Sequence, residues 1–413
     1  MNPDFSCDEL SITARTPNHA AGTDGVRRQV LSAMGLAGVA GLAGALALSR
    51  SANAGPLTPA AGAPVSTGHT VDEIYTKIAG NGGMGEARTA LSSATTPGDA
   101  TAVFVISQPG SYYLTGNLTP TGGRDGIRVT ADYVTIDLNG FTIDGSLATG
   151  FMDGIDFSGG TRRGCCVRNG IVRACKGYGI VGNVTDALFI DLAVLDNQSG
   201  SLEVFSATNT VVMRVRARAA TGEVCISVGN GSVVTECTCE GAGTAIEAQL
   251  SCVISRCTAR NVRKGFLINS GRVEECALDT VTDTSSFSSG GIMAGTGTEV
   301  VRCSLRQCTQ AGINASGAIS VTDCTFSLCG VGVLVPAFGS GRVRVERNFF
   351  HSCTGAGVRL TQPRNFVAGN RFLLNTVDID APSSPNTLGE MLDFSAGGVL
   401  TAANAHPFAN IRY

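Results

Sequence analysis

Asp156, Glu203 and Glu247 stand at equivalent places in a sequence that repeats itself about every 22 residues between 165 and 380. Each follows a short motif such as Gly154-Ile155, and intervening repeats place Val181, Ser227, Leu267, Met293 and Asn314 at the same point, with Arg359 further on. If the repeats stack as parallel strands, carboxylates two repeats apart lie about 9.6 Å from one another. That nears the separation of about 6.5 to 9.5 Å between acid and base in inverting glycosidases, where one carboxyl protonates a leaving oxygen and the other activates water. A solvated sheet face that avoids stacked like charges has the same pattern, and both readings stand at this stage.

A second group gathers Asp137, Asp144, Asp153 and Asp156 near Arg162, Arg163 and Arg168. Carboxylates among glycines suit calcium, so Asp137, Asp144 and Asp153 are candidate ligands, with calcium or no cofactor as the alternatives. Arginine beside such an ion can serve as the base of a lyase. Arg162, Arg163 and Arg359 are the candidate substrate-binding cations. Lids and turns also use Asp and Gly for backbone reasons. Zinc is disfavoured, because there is no Cys-x-x-Cys and His19, His69, His351 and His406 are scattered.

The elements that must carry these residues follow from one column of the repeat, which reads Asn169, Asp191, Val215, Cys237, Cys257, Cys276, Cys303, Cys324, Asn348, Asn370. The preceding position runs Arg214, Glu236, Arg256, Glu275, Arg302, Asp323, Arg347, changing sign at each step. Parallel strands in register put equivalent residues about 4.8 Å apart, where like charges repel and opposite charges attract. The alternation therefore reads as a vertical stack. Val103 to Ile106, Tyr112 to Leu114 and Tyr133 to Ile143 are short, β-branched, period-two segments with Gly at the corners. The expected fold is all-β: a single-stranded right-handed parallel β-helix over 103–381, a C-terminal cover over 382–413, and a projecting loop at Thr280 to Ser289.

Most cysteines fall on repeat columns, including Cys308, Cys329 and Cys353. Export would permit disulfides, but same-column residues point side by side into the core. The expectation is buried, reduced thiols acting as small apolar fillers and no disulfide. Asn169, Asn348 and Asn370 read as an asparagine ladder at a corner.

Arg27-Arg28-Gln29-Val30-Leu31, an uncharged Gly/Ala-rich stretch to Leu48 and Ala52-Asn53-Ala54 resemble a twin-arginine export signal over 1–54. A membrane anchor is the competing reading. Residues 55–102 read as a linker and N-terminal cap, in which Thr70-Val71-Asp72-Glu73 opens a capping helix that covers the end of the strand stack. With 30 basic and 33 acidic residues and a net charge of −3, no nucleic acid or anionic membrane is indicated as a partner. No membrane span is expected once the signal is cleaved. The lack of tryptophan leaves a deep aromatic sugar cleft poorly supplied.

Coil length, the Asn-bearing corner and the Gly-Ile strands together resemble the pectate-lyase-like superfamily of right-handed parallel β-helices. A closer resemblance is to exported bacterial β-helix repeat proteins, carried by Glu86-Ala87-Arg88-Thr89, by Ile106-Ser107-Gln108-Pro109-Gly110-Ser111-Tyr112-Tyr113-Leu114-Thr115-Gly116-Asn117-Leu118 and by Val134-Thr135-Ile136-Asp137-Leu138-Asn139-Gly140-Phe141. The superfamily resemblance implies polysaccharide lyases, hydrolases and epimerases as well as non-catalytic surface proteins. The Asn-Thr-Asp, Gly-His-Gly and Arg-Ile-Lys signatures of its hydrolases, the Trp-Ile-Asp-His of its lyases and the Asp-Pro-His of alginate epimerases are missing. The expected function is binding or modification of extracellular or envelope polysaccharide by an exported protein, in the periplasm, at the cell surface or outside. The alternative is a structural or adhesive surface protein that uses the solenoid as a rigid scaffold.

Overall fold

The structure is a computed structural model that describes residues 88–220, 222–241, 243–283, 289–383, 385–395 and 408–413. All of them belong to the unit Gly85–Tyr413. The export signal, the capping helix at Thr70 and most of the loop tip at 284–288 lie outside the described residues.

Most coils contribute three short strands; in two others the first two run on as one strand, Cys166–Arg173 and Leu188–Asn197. In one coil the three are Val211–Met213, Arg216–Ala219 and Val224–Asn230; in the next, Val233–Thr235, Thr238–Glu240 and Thr244–Ala248. The first two strands of every coil build a bent 25-stranded sheet, and the third builds a separate 13-stranded sheet. Every pairing between named strands is parallel and joins one coil to the next, as in Val211↔Val233, Arg216↔Thr238 and Ile226↔Ile246. The stack reaches further than 103–381 at both ends. Thr89–Ala90 pairs with the strand Gly110–Tyr113, and Asn410–Arg412 pairs with Arg371–Leu373. No α-helix occurs among the described residues, only a 3-10 turn at Gly145–Leu147.

The bend between the first two strands is made by a single residue in the left-handed region. Arg214, Glu236, Arg256, Glu275, Arg302, Asp323 and Arg347 have φ of 52°, 56°, 50°, 55°, 52°, 56° and 57°. Such a conformation costs an L-residue roughly 1–2 kcal/mol. It persists because each amide is tied to the next coil, Arg214 N to Thr235 O at 3.1 Å and Arg256 N to Glu274 O at 3.0 Å. The charged column is thus the outer side of a corner, and its residues pair: Arg214–Asp191 at 2.6 Å, Arg256–Glu236 at 3.2 Å, Arg302–Glu275 at 2.8 Å and Arg347–Asp323 at 2.9 Å.

Asn169 and Asp191 belong to this outer column, not to the inner one where the sequence pattern places them. Their φ values are 59° and 56°, and the inner positions of their coils are Gly170 and Leu192, which are register partners. Asn and Asp are favoured at left-handed positions as well as in ladders, so residue type alone misassigned them by one place.

The inner column is polar as well as small. The thiols of Cys237, Cys257 and Cys276 each donate to the carbonyl two residues earlier at 3.2 Å. The sulfur of Cys276 accepts the amide of Cys257, and that of Cys324 accepts Cys303, both at 3.4 Å. Asparagine then takes over the same task. Asn348 Oδ1 accepts Cys324 N at 2.9 Å, Asn370 Oδ1 accepts Asn348 N at 2.9 Å, and Asn410 Oδ1 accepts Asn370 N at 3.1 Å. The cysteines therefore act as weak members of a hydrogen-bonded ladder, not only as apolar fillers. All 14 cysteines among the described residues are free thiols, and every one but Cys166 is buried. Asn169 is not in the ladder; its Nδ2 donates to Asp137 at 3.2 Å.

The interior is a set of like-on-like stacks. Phe326, Phe350 and Phe372 lie face to face with centroids 4.8 Å and 5.1 Å apart. At the start of the third strand a glycine column closes the corner: a Cβ on Gly312 would meet Gly332 O at 2.7 Å, and one on Gly332 would meet Gly357 O at 2.4 Å.

Candidate functional site

The third strand of each coil sends alternate side chains inward and outward. In Gly200–Thr208, Leu202 and Val204 are buried, whereas Glu203 and Phe205 face out. Register fixes what stands beside Glu203. Val181 pairs with Asp156 below and Glu203 above, Ser227 pairs with Glu203, Glu247 with Ser227, and Leu267 with Glu247. The column continues through Met293, Asn314 and Leu334 to Arg359 and Asp380. The outward row expected from the sequence is thus one continuous line.

Its centre is only partly open to water. Ser227 is wholly buried between two half-buried carboxyls, with its hydroxyl turned toward Glu203. Burial pushes the Glu203 carboxyl up to about 7, against the nearby Ser227 hydroxyl, and the charges of Glu247 and Glu223 add to the rise. Glu247 is also raised by burial, but Lys264 and Thr244 oppose it. The Tyr178 phenol is raised by its burial and then by Glu203, Glu223 and Asp153. Near neutral pH Glu203 is thus poised between its protonated and charged forms, and Glu247 is raised in the same direction, with Lys264 and Thr244 working against the rise. A donor and an acceptor two coils apart, about 9.6 Å by strand spacing, can serve a sugar bond laid across them.

Asp156 lies apart from that pair. It is 6% exposed and accepts Ser158 N at 2.6 Å within its own turn. Asp153, pushed up to about 7 by burial despite its bond from Tyr178 N, forms a vertical row with Asp125, whose Oδ1 accepts Asp153 N at 2.8 Å.

The three candidate calcium ligands do not converge. Asp137 is held by Arg88 at 2.7 Å and Arg168 at 3.1 Å. Asp144 caps the 3-10 turn and pairs with Arg173 at 2.6 Å. Asp153 lies two residues before the strand Ile155–Arg163. Among the described residues no group of three or more His, Cys, Asp or Glu is placed to hold a metal, so these side chains do not fit a calcium ion. The candidate cations are dispersed as well. Arg162 donates to Val129 O and Gly159 O at 3.3 Å, Arg163 is exposed beside it, and Arg359 sits far along the stack, bonded to Asp380 at 2.8 Å.

Tyr178, which the sequence suggests as a packing residue, lies beside Glu203 and Glu223, and Phe205, Glu223 and Lys264 were not singled out from the sequence. For Phe205 the signal was present in the alternation Leu202-Glu203-Val204-Phe205. The others sit at the strand start, where register across three coils decides who meets whom.

Residues 274–404 match the family model described as "Right handed beta helix region". A search of curated proteins returns no match. Among solved structures, the A-module of a mannuronan C-5 epimerase from Azotobacter vinelandii is 14% identical, over 72% of this chain and 89% of that one, with a TM-score of 0.46. The catalytic domain of a GH87 α-1,3-glucanase, solved with nigerose, is 13% identical over 80% and 70%, with a TM-score of 0.46. A mutant tailspike protein of the E. coli bacteriophage HK620 is 10% identical over 70% and 59%, with a TM-score of 0.45. These likenesses are of the coil alone.

Proposed function

We propose that the outward face of the third sheet binds an uncharged polysaccharide outside the cytoplasm, and that Glu203 and Glu247 act on it as proton donor and proton acceptor. The observation that carries this reading is the Glu203–Ser227–Glu247 row, in which a buried hydroxyl lies between two half-buried carboxyls, that of Glu203 pushed up to about 7. A neutral glycan follows from the charge of the face. Around the row itself the carboxyls of Glu223 and Glu247 are opposed by Lys264, so a polyuronate would meet no excess of cations there. Export rests on the Arg27-Arg28 segment, and a glycan partner is consistent with it. The reaction would be hydrolysis with inversion: Glu203 protonates the glycosidic oxygen, and Glu247 takes a proton from the attacking water.

The test is incubation with a panel of uncharged polysaccharides, reading reducing ends and product anomer by NMR. New reducing ends in the inverted anomer, lost in Glu203→Gln and in Glu247→Gln, support the reading. Retention of a glycan without cleavage restricts it to binding. The scaffold reading draws on the apolar run Leu267, Met293 and Leu334 in the same column, and absence of both retention and cleavage would favour it.

A further inference from the structure

Five register steps beyond Glu247 along the same outward column, the surface changes character. The steps run through Leu267, Met293, Asn314 and Leu334 to Arg359, about 24 Å at the spacing of parallel strands. A cavity of about 380 Å³ opens there, lined by Gln310, Leu334, Pro336, Phe338, Arg359 and Thr361 among others. Its size lies within the range of about 300–1,000 Å³ typical of ligand sites.

Two features set this cavity apart from ordinary surface relief. Phe338 is 60% exposed, and the turn that carries it is braced by hydrogen bonds. Gly339 N donates to Pro336 O at 2.8 Å, Thr361 Oγ1 donates to Val335 O at 2.6 Å, and the Gln362 side chain donates to Ala337 O. The polar side of the cavity has hydrogen bonds to spare. Arg359 uses Nε on Asp380, and its terminal nitrogens, like the side-chain amide of Gln310, have no hydrogen bond to a described residue. An apolar floor with an aromatic ring and polar groups at one edge suits the apolar face and rim hydroxyls of a pyranose. Continuity with the Glu203–Glu247 row selects the occupant.

We infer that this cavity is a second glycan subsite, in which one ring of an uncharged polysaccharide packs on Phe338 and Leu334 while its hydroxyls bond Arg359 and Gln310. This rests on the function proposed above. A chain that bridges both places gains from linkage, which can raise avidity by roughly 10²–10⁴ without new contacts at either end. Polymer and short fragment should therefore respond differently to substitutions here.

The test measures retention of dextran, a mixed-linkage β-glucan and galactomannan, and of di- and trisaccharides cut from each, by the intact protein and by Phe338→Ala and Arg359→Met. Unchanged unfolding midpoints serve as the control for folding. Loss of polymer affinity by tenfold or more in both variants, with the affinity of short fragments for the Glu203 site unchanged, is the expected result. Equal polymer retention by Phe338→Ala and the parent overturns the subsite and leaves the proposed function standing. Retention of none of these glycans by the parent removes both. Displacement of an apolar dye from the cavity by a fatty acid but by no glycan assigns an apolar ligand and also overturns the subsite.

Discussion

The guanidinium of Arg256 lies 3.2 Å from the carboxylate of Glu236, a residue 20 positions earlier and one coil below. Both occupy left-handed corners, with φ of 50° and 56°. The charged column is therefore a row of discrete pairs, each arginine engaging the acid of the coil before it. Both partners are about half exposed, and such pairs contribute about 0–1 kcal/mol. Arg256→Ala should lower the urea midpoint by less than the equivalent of 1 kcal/mol, and the difference should shrink in 0.5 M salt. A larger, salt-insensitive loss would mean that the pair supports the corner by more than charge.

Asn370 should matter far more. Its side chain accepts the amide of Asn348 and donates to Val345 O at 2.8 Å in a fully buried setting. Asn370→Ala strands a buried N–H and a buried C=O, each costing about 1–3 kcal/mol, so a loss of about 3 kcal/mol or more is expected in chemical denaturation. Asn370→Cys should recover part of it, because Cys276 and Cys324 perform the same task one or more coils below.

Much of this coil was legible in the sequence, because stacking turns distance along the chain into vertical adjacency. The sign alternation from Arg214 to Arg347 and the outward row from Asp156 to Arg359 both survive in the register. What failed did so for local reasons. Asn169 and Asp191 fit two columns equally well by residue type, and only their backbone φ in the fold separates them. Asp137, Asp144 and Asp153 are close in sequence, yet each is engaged at a different place on its coil. Phe205 and Phe338 escaped notice because a solvent-facing aromatic is defined by what fails to cover it, which no single strand records.

Gly312→Ala tests the corner geometry. The added methyl would approach the Phe326 ring at 2.6 Å and Gly332 O at 2.7 Å, where backbone cannot yield cheaply. A loss of about 1–3 kcal/mol, the range of an overpacked core, is expected in the denaturation midpoint.

Stability should depend on pH in a two-sided way. Glu203 and Asp153 hold protons in the folded chain up to about 7, above their unfolded values of about 4. Their contribution is complete below about pH 4 and is lost as pH rises through about 7. Asp191 and Asp196, held low by Arg214 and Arg218, act oppositely, and their contribution is lost as pH falls below about 4. The thermal midpoint should peak near pH 5 and decline toward pH 8. Glu203→Gln combined with Asp153→Asn should flatten the neutral limb, by about 1–2 kcal/mol at pH 8 after allowance for partial exposure.

The most direct measurement is the titration of the Glu203 side-chain carboxyl by ¹³C NMR, assigned through Glu203→Gln. Protonation with a midpoint near 7, shifting downward in Glu247→Gln as the neighbouring negative charge is removed, is the predicted result. A midpoint near the ordinary glutamate value of about 4.3, unmoved by that substitution, would contradict the proton-donating role assigned to this face.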